Sequence, residues 1–222
     1  SGELPRQTRI GFHSMSVPEQ DTLSEASAAP QSPDSMTAAQ LVRRQRLVTT
    51  VIELISAGDA LAPEDIQMKE IADRSGVALG TVYRYFSSKD HLLAAALLQW
   101  AGALEDRTKQ RPVAGGTPSD RLSAVLHQAI RAYARQPMFA RVLVLVANSA
   151  DPYASECYAQ MGAVVYPALG QALGQIDEDT RGRILDVIGA VWYHCMVEWV
   201  NNRMTLQQLT KMLDSSCELL LG

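Results

Sequence analysis

The sequence predicts an all-α protein of about nine helices, with a small helix-turn-helix domain followed by a larger helical body. Three observations lead there. From residue 36 onward apolar residues recur three and four apart, the spacing of one helix face. Helix-start signals punctuate the chain: Thr37 with Gln40, Ser87 with Asp90 and Thr205 with Gln208 have capping-box spacing, and Thr117-Pro118-Ser119-Asp120 joins an N-cap to a first-turn proline. No run alternates apolar and polar residues between turn signals, so no strand is predicted.

Residues 1–35 hold seven Ser, four of the ten prolines and one of the thirteen aromatics, Phe12. That is too little apolar surface to offset ordering entropy, and a disordered arm is predicted. Thr37 opens a first helix with the stripe Leu41, Val48, Val51, Ile52 and Ile55, ended near Gly58. A loop around Pro63 leads to two short helices, near 67–74 and 79–86, separated by Ser75-Gly76-Val77. The Ser87/Asp90 box opens a long helix through Leu92, Leu93, Leu97 and Trp100 to about residue 110. After a Gly/Pro connector at 111–116, Thr117 starts a helix to about residue 135. Pro137 and Asp151-Pro152 start two more, the second carrying Pro167, which should kink it. Asp177, with Glu178 and Asp179 in the first turn, starts a helix to about residue 201, and Thr205 opens the last, ending at Gly222. The implied organisation is an arm (1–35), a helix-turn-helix domain (36–92) and a helical body (93–222).

The 222 residues have a formal charge of -4. By region, two cations face five anions over 1–35, seven face seven over 36–92, and eleven face twelve over 93–222. No region is basic, which excludes coating of a polyanion by charge alone. A compact footprint with a few well-placed cations stays open. Cys157, Cys195 and Cys217 lack CxxC spacing, so neither a disulfide framework nor a zinc site is encoded, and a reducing, cytoplasmic setting fits. No apolar run, 142–147 included, approaches the ~20 residues of a membrane-spanning helix, so no membrane partner is expected.

Two short helices joined at a glycine have helix-turn-helix geometry, in which the second helix enters the major groove of DNA. Ile71 and Ala72 form the inward side of the first, Gly76 permits the positive φ of a sharp turn, and Val77 plugs the angle. Val82 and Phe86 face inward from the second. That leaves Leu79, Gly80, Thr81, Tyr83, Arg84 and Tyr85 on or near the outer surface. Gly80 and Thr81 lack bulk, Tyr83 can reach a phosphate, Arg84 can pair with guanine or phosphate, and Lys89 suits a phosphate clamp.

The run Ile71-Ala72-Asp73-Arg74-Ser75-Gly76-Val77-Ala78-Leu79-Gly80-Thr81-Val82-Tyr83-Arg84-Tyr85-Phe86-Ser87-Ser88-Lys89-Asp90-His91-Leu92-Leu93 resembles the signature of the TetR family of transcriptional regulators. The resemblance, over about residues 37–93, implies a three-helix DNA-binding domain, a linker helix and a helical body that binds an effector and dimerises. It places Gln67 where the family usually has a threonine on phosphate. Thr81, Tyr83 and Lys89 match backbone-contacting positions, and Leu79, Gly80, Arg84 and Tyr85 match positions near bases or adjacent phosphates. Ala78 departs from the usual Ser/Thr cap, at about 1 kcal/mol, and Leu79 offers only apolar contact, as to a thymine methyl.

A narrower resemblance lies in Val113-Ala114-Gly115-Gly116-Thr117-Pro118, Arg121-Leu122, Val191-Trp192 and Trp199, which are similar to the actinobacterial regulators of steroid and cholesterol catabolism (KstR type). It implies repression of lipid-degradation genes, relieved by a sterol-derived or fatty acyl-CoA thioester. Trp100, Tyr133, Met138, Phe139, Tyr153, Met161, Tyr166, Trp192 and Met196 lie on the helices that enclose the effector cavity in such proteins, although each also suits plain core packing. Few charges interrupt them, so an apolar, elongated effector is expected. Arg107, Lys109 and Arg111 suit a solvated helix face better than a CoA phosphate site.

The penultimate helix is apolar on two faces and the last repeats the pattern, which implies a two-fold four-helix bundle with a second copy. The residues expected in that homodimer interface are Val191, Cys195, Trp199, Leu209, Met212, Leu213 and Leu220. Enzyme readings fail because His13, His91, His127 and His194 are dispersed, and His194 and Cys195 point about 100° apart on a helix. No cofactor is called for, and no phosphate-cradling loop or metal-ligand spacing exists. The expected function is a nucleoid-associated repressor on a palindromic double-stranded operator. A ligand-binding helical adaptor without DNA binding, and a regulator of an unrelated pathway such as efflux, are the alternatives.

Overall fold

The computed structural model describes residues 29–58, 60, 62–109 and 115–222. Among these are nine α-helices, two 3-10 turns and no strand: α1 (Ala38–Ala57), α2 (Met68–Ser75), α3 (Leu79–Tyr85), α4 (Lys89–Lys109), α5 (Pro118–Arg135), α6 (Pro137–Ala147), α7 (Pro152–Leu173), α8 (Glu178–Val200) and α9 (Leu206–Leu221). The boxes expected at Thr37/Gln40 and Thr205/Gln208 form, and the Thr117 N-cap closes one with Asp120 as well. Asp177 caps α8 by accepting from the Thr180 N–H at 2.9 Å. Each cap satisfies end N–H groups that the helix itself leaves unpaired.

The box expected at Ser87/Asp90 does not form. Ser88, not Ser87, caps α4, its hydroxyl accepting from the His91 N–H at 3.1 Å. The Asp90 carboxylate instead accepts from the Ser149 hydroxyl at 2.7 Å. Ser87 turns its hydroxyl to Asp151, also at 2.7 Å. A tertiary acceptor has outcompeted the local one.

The expected arm lies outside the described residues as far as residue 28. Its last part, from residue 29, contacts the head. Pro33–Ser35 is a 3-10 turn, the Gln31 N–H donates to the Arg84 carbonyl at 2.9 Å, and Met36 is buried.

The α1 stripe also differs from its expected form. Leu47, Val48, Val51, Leu54 and Ile55 are buried, Ile52 is half-buried and Leu41 is 41% exposed. α1, α2 and α3 pack together as the head, closed by Ile66, Ile71, Val82 and Phe86. Full burial of each large aliphatic contributes about 1.5–3 kcal/mol. α4 belongs to both parts: it packs on α1 at the head and along α7 and α6 in the body. α5 lies against α7 and α9, and α8 joins α6, α7 and α9. Among the described residues no helix is long and apolar enough to cross a membrane.

Candidate nucleic-acid interface and effector chamber

The turn between α2 and α3 is built as its residues demand. Gly76 has φ +66°, the left-handed conformation that closes a helix, and the Val77 N–H returns to the Ala72 carbonyl at 3.1 Å. Val77 is buried in the angle. Ala78 supplies no side-chain cap to α3. From α3 the side chains of Leu79, Tyr83 and Arg84 are exposed, Gly80 faces solvent, and Thr81 is half-buried. Nothing lies within 4 Å of where a Gly80 Cβ would stand, so the helix N-terminus is open to a partner. Gln67 is exposed at the N-cap of α2, with its amide donating to the Glu64 carbonyl at 3.1 Å. Lys89 is half-buried and donates to the Pro63 and Glu64 carbonyls at 3.2 and 3.3 Å. It therefore pins the Pro63–Asp65 turn to α4, and two of its three donors are spent there.

Tyr85 is not at the surface as expected: it is only 1% exposed. It stands three residues after Val82 and beside Phe86, so all three share the inward face. Its hydroxyl accepts from Arg84 Nη2 at 3.4 Å, and the Arg43 guanidinium adds its charge nearby. Burial pushes that phenol up, yet the two guanidiniums outweigh it and hold it below its ordinary value. Arg44 is no free cation either. It lies half-buried over the Phe86 ring, 4.8 Å from its centre, and desolvation lowers its pKa.

Behind the head sits a polar junction that sequence reasoning missed. The Asp151 carboxylate accepts from the Ser87 and Ser88 hydroxyls and from the Tyr153 and Ala154 N–H groups. One side chain thus caps α7 and ties the start of α4 to it. Burial alone would raise its carboxyl, but those four hydrogen bonds keep it below the usual carboxylate range. His91 is buried beneath, its Nδ1 accepting from the Ser87 N–H at 3.2 Å, its ring edge-on to Phe86 and stacked on Tyr153 at 5.4 Å. Desolvation, with Arg44 nearby, drops the imidazole to about 4 although Asp151 pulls the other way. The signal in the sequence was Asp151 itself, read only as a helix start.

In the body, Trp100 stacks on Phe139 at 4.4 Å and meets Tyr133 at 4.8 Å, and Tyr133 meets Trp192 at 5.8 Å. The indole of Trp100 donates to the Gln136 side chain at 2.7 Å. Full burial raises the Tyr133 phenol. Met138, Phe139 and Met196 are buried and Met161 is half-buried, whereas Tyr166 is 43% exposed on α7. Tyr153 does not join this cluster, because its ring is committed to His91 at the junction. Arg107 is exposed; Arg111 and the Lys109 side chain lie outside the described residues. A separate hollow of about 600 Å³ on the outer side of α9, lined by Leu206, Thr210, Lys211, Asp214 and Glu218 among others, lies on a different element from the aromatic cluster.

Three of the expected dimer residues are interior. Cys195, Leu209 and Leu213 are fully buried in the chain's own core, where α9 packs between α5 and α8. Val191, Trp199 and Leu220 are half-buried, and Met212 is 39% exposed. The outward apolar residues of these two helices are Val187, Met212 and Leu219.

Residues 63–96 match the profile of bacterial regulatory proteins of the tetR family, and residues 115–220 match the tetracyclin repressor-like C-terminal domain. The HTH-type transcriptional repressor KstR of Mycobacterium tuberculosis is 33% identical over 186 residues, 83% of this chain and 83% of its own. The chain belongs to the TetR family. This TetR-family repressor is a homologue of KstR, and its helix-turn-helix at α2 and α3 is the DNA-binding element. Two solved structures share its fold. A TetR transcriptional regulator from Rhodococcus sp. RHA1 superposes with a TM-score of 0.72 at 24% identity, covering 82% of this chain and 97% of that one. The regulator FadR from Bacillus subtilis, in complex with stearoyl-CoA, superposes with a TM-score of 0.59 at 20% identity, covering 80% and 97%.

Proposed function

We propose that this TetR-family repressor acts as a homodimer on a palindromic operator, and that an apolar acyl thioester, fatty or sterol-derived, releases it to permit lipid or steroid breakdown. The carrying observation is the aromatic cluster of Trp100, Tyr133, Phe139 and Trp192, drawn from α4, α5, α6 and α8, with Gln136 bonded to the Trp100 indole. Parted to admit a ligand, rings of this kind favour an elongated apolar one. The KstR name of its relatives and the stearoyl-CoA of the FadR neighbour support the same class. Leu79, Gly80, Thr81, Tyr83 and Arg84 of each copy face one half-site, with Gln67 and Lys89 on flanking phosphates. Two heads then read half-sites about 34–36 Å apart. The exposed Val187, Met212 and Leu219 supply the face for the second copy. The ligand acts by preferring the DNA-free arrangement of the heads, since equal affinity for both would shift nothing.

The test is fluorescence anisotropy on a duplex that the protein selects from a random pool, with stearoyl-CoA or a sterol-derived CoA thioester titrated in. Release of the duplex, with quenching of Trp100 and Trp192 emission, is expected. Stable anisotropy at saturating thioester refutes the effector class, and a 24.2 kDa species in sedimentation at micromolar concentration refutes the dimer.

A further inference from the structure

We propose that the Tyr133 hydroxyl is the polar anchor of the effector chamber, donating to a carbonyl oxygen of the ligand and so selecting chains that carry one. The proposal rests on the effector reading above and names the group within the ligand that this site takes. The four rings of the cluster differ in what they can offer. Phe139 has no polar hydrogen, and the Trp100 N–H is already bonded to the Gln136 side chain at 2.7 Å. Among the described residues neither the Tyr133 hydroxyl nor the Trp192 indole N–H has a hydrogen-bond partner.

Packing does not account for that hydroxyl. Tyr133 is only 5% exposed, and a phenol taken out of water without a partner is destabilising. Buried phenols ordinarily find one. The similarly buried Tyr85 is bonded to Arg84, and the half-buried Tyr193 receives the Asn148 amide at 2.7 Å. Phenylalanine would fill the same space, as the fully buried Phe139 does on the next helix. Burial raises the Tyr133 phenol, with no hydrogen bond to offset it, so the group is held as a protonated donor.

The setting decides what that donor receives. The Tyr133 ring stands 4.8 Å from Trp100 on α4 and 5.8 Å from Trp192 on α8, inclined at 60° and 58° to them. The half-buried Trp192 beside it also offers a donor and no acceptor, so the pair calls for an acceptor from outside. A carbonyl oxygen has two lone pairs and brings no hydrogen in need of its own partner. Two parts of an apolar acyl thioester can supply it: the thioester carbonyl, or a keto group on the hydrocarbon. A saturated chain at the same place leaves the phenol unpaired, and a buried polar group left unpaired is how such a site rejects an analogue.

The experiment compares the full-length wild type with Y133F by isothermal titration calorimetry. The probes are stearoyl-CoA, S-octadecyl-CoA, which lacks the carbonyl, and isomers of S-octadecyl-CoA that carry one keto group along the chain. Y133F should lose about tenfold in affinity for a carbonyl-bearing probe, the scale of one buried hydrogen bond, and bind S-octadecyl-CoA as tightly as the wild type does. A loss on stearoyl-CoA assigns the oxygen to the thioester. A loss on a keto isomer alone assigns it to the hydrocarbon. The melting temperature of Y133F should equal or exceed that of the wild type, since the ring stays and an unpaired hydroxyl goes. Equal losses on all probes overturn the proposal, as do unchanged affinities throughout or a lowered melting temperature. A wild type that binds none of the probes refutes the effector reading and the proposal with it, a result distinct from the others.

Discussion

His91 should make the stability of this repressor fall in mild acid, well before its carboxylates protonate. The imidazole is 7% exposed, sandwiched between Phe86 and Tyr153, and depressed to about 4 from an ordinary 6.5. A group whose folded value lies below its unfolded value takes up its proton more readily when unfolded, so stability drops as pH falls. The loss begins near pH 6.5 and saturates below about pH 4, the window set by those two values. Integrating the linkage gives about 2 kcal/mol at pH 5 and about 3 kcal/mol at pH 4. The assay is urea denaturation of the wild type and His91→Asn at about pH 7.5 and pH 5. Asparagine keeps an acceptor for the Ser87 N–H and cannot titrate. The variant is expected to be less stable at neutral pH for want of ring stacking, yet to lose about 2 kcal/mol less than the wild type on acidification. Carboxylate contributions, including that of the depressed Asp151, are shared by both proteins and cancel in the difference. Equal losses in the two would refute the reasoning.

Other substitutions probe the remaining joints. Asp151→Ala removes the α7 cap and the acceptor of two hydroxyls, and should cost about 2–3 kcal/mol in urea denaturation, with Asp151→Asn recovering part of it. Gly76→Ala meets no atom within 4 Å but must adopt φ +66°, so backbone strain alone should cost about 1–2 kcal/mol, read as a lowered melting temperature. Leu219, 88% exposed, and Met212 can both become Glu with little effect on folding, and sedimentation should then report monomer. Phe139→Ala opens the wall against Trp100 and should cost about 3–5 kcal/mol in denaturant.

Helix starts were the most legible feature of the sequence, because a cap and its third residue are neighbours and nothing distant competes. Thr37, Thr117, Asp177 and Thr205 all behave as their local sequences imply. Ser87 fails for the opposite reason: its preferred acceptor, Asp151, lies 64 residues away. The recognition surface was readable wherever helical period alone decided it, as at Leu79 and Tyr83. Tyr85 was misplaced because Val82 at i-3 was not counted with it. On α8 and α9 the pattern announces two apolar faces without saying which one the chain itself covers. Cys195, Leu209 and Leu213 turned inward because α9 packs between α5 and α8, an arrangement set by the topology. Tyr153 was lost to the aromatic cluster because its stacking partner sits on α4, in another domain of the sequence.

The four hydrogen bonds gathered by Asp151 limit how such proteins can be recombined. Ser87 and Ser88 arrive with the DNA-reading head, while Asp151, Tyr153 and Ala154 arrive with the body. A chimaera that grafts a foreign head at the start of α4 must supply hydroxyl donors at both serine positions, or it leaves the Asp151 carboxylate with its two backbone donors alone. Drift in one half is therefore constrained by the other, and specificity swaps between relatives should succeed when the crossover leaves residues 87–91 with the body that holds Asp151.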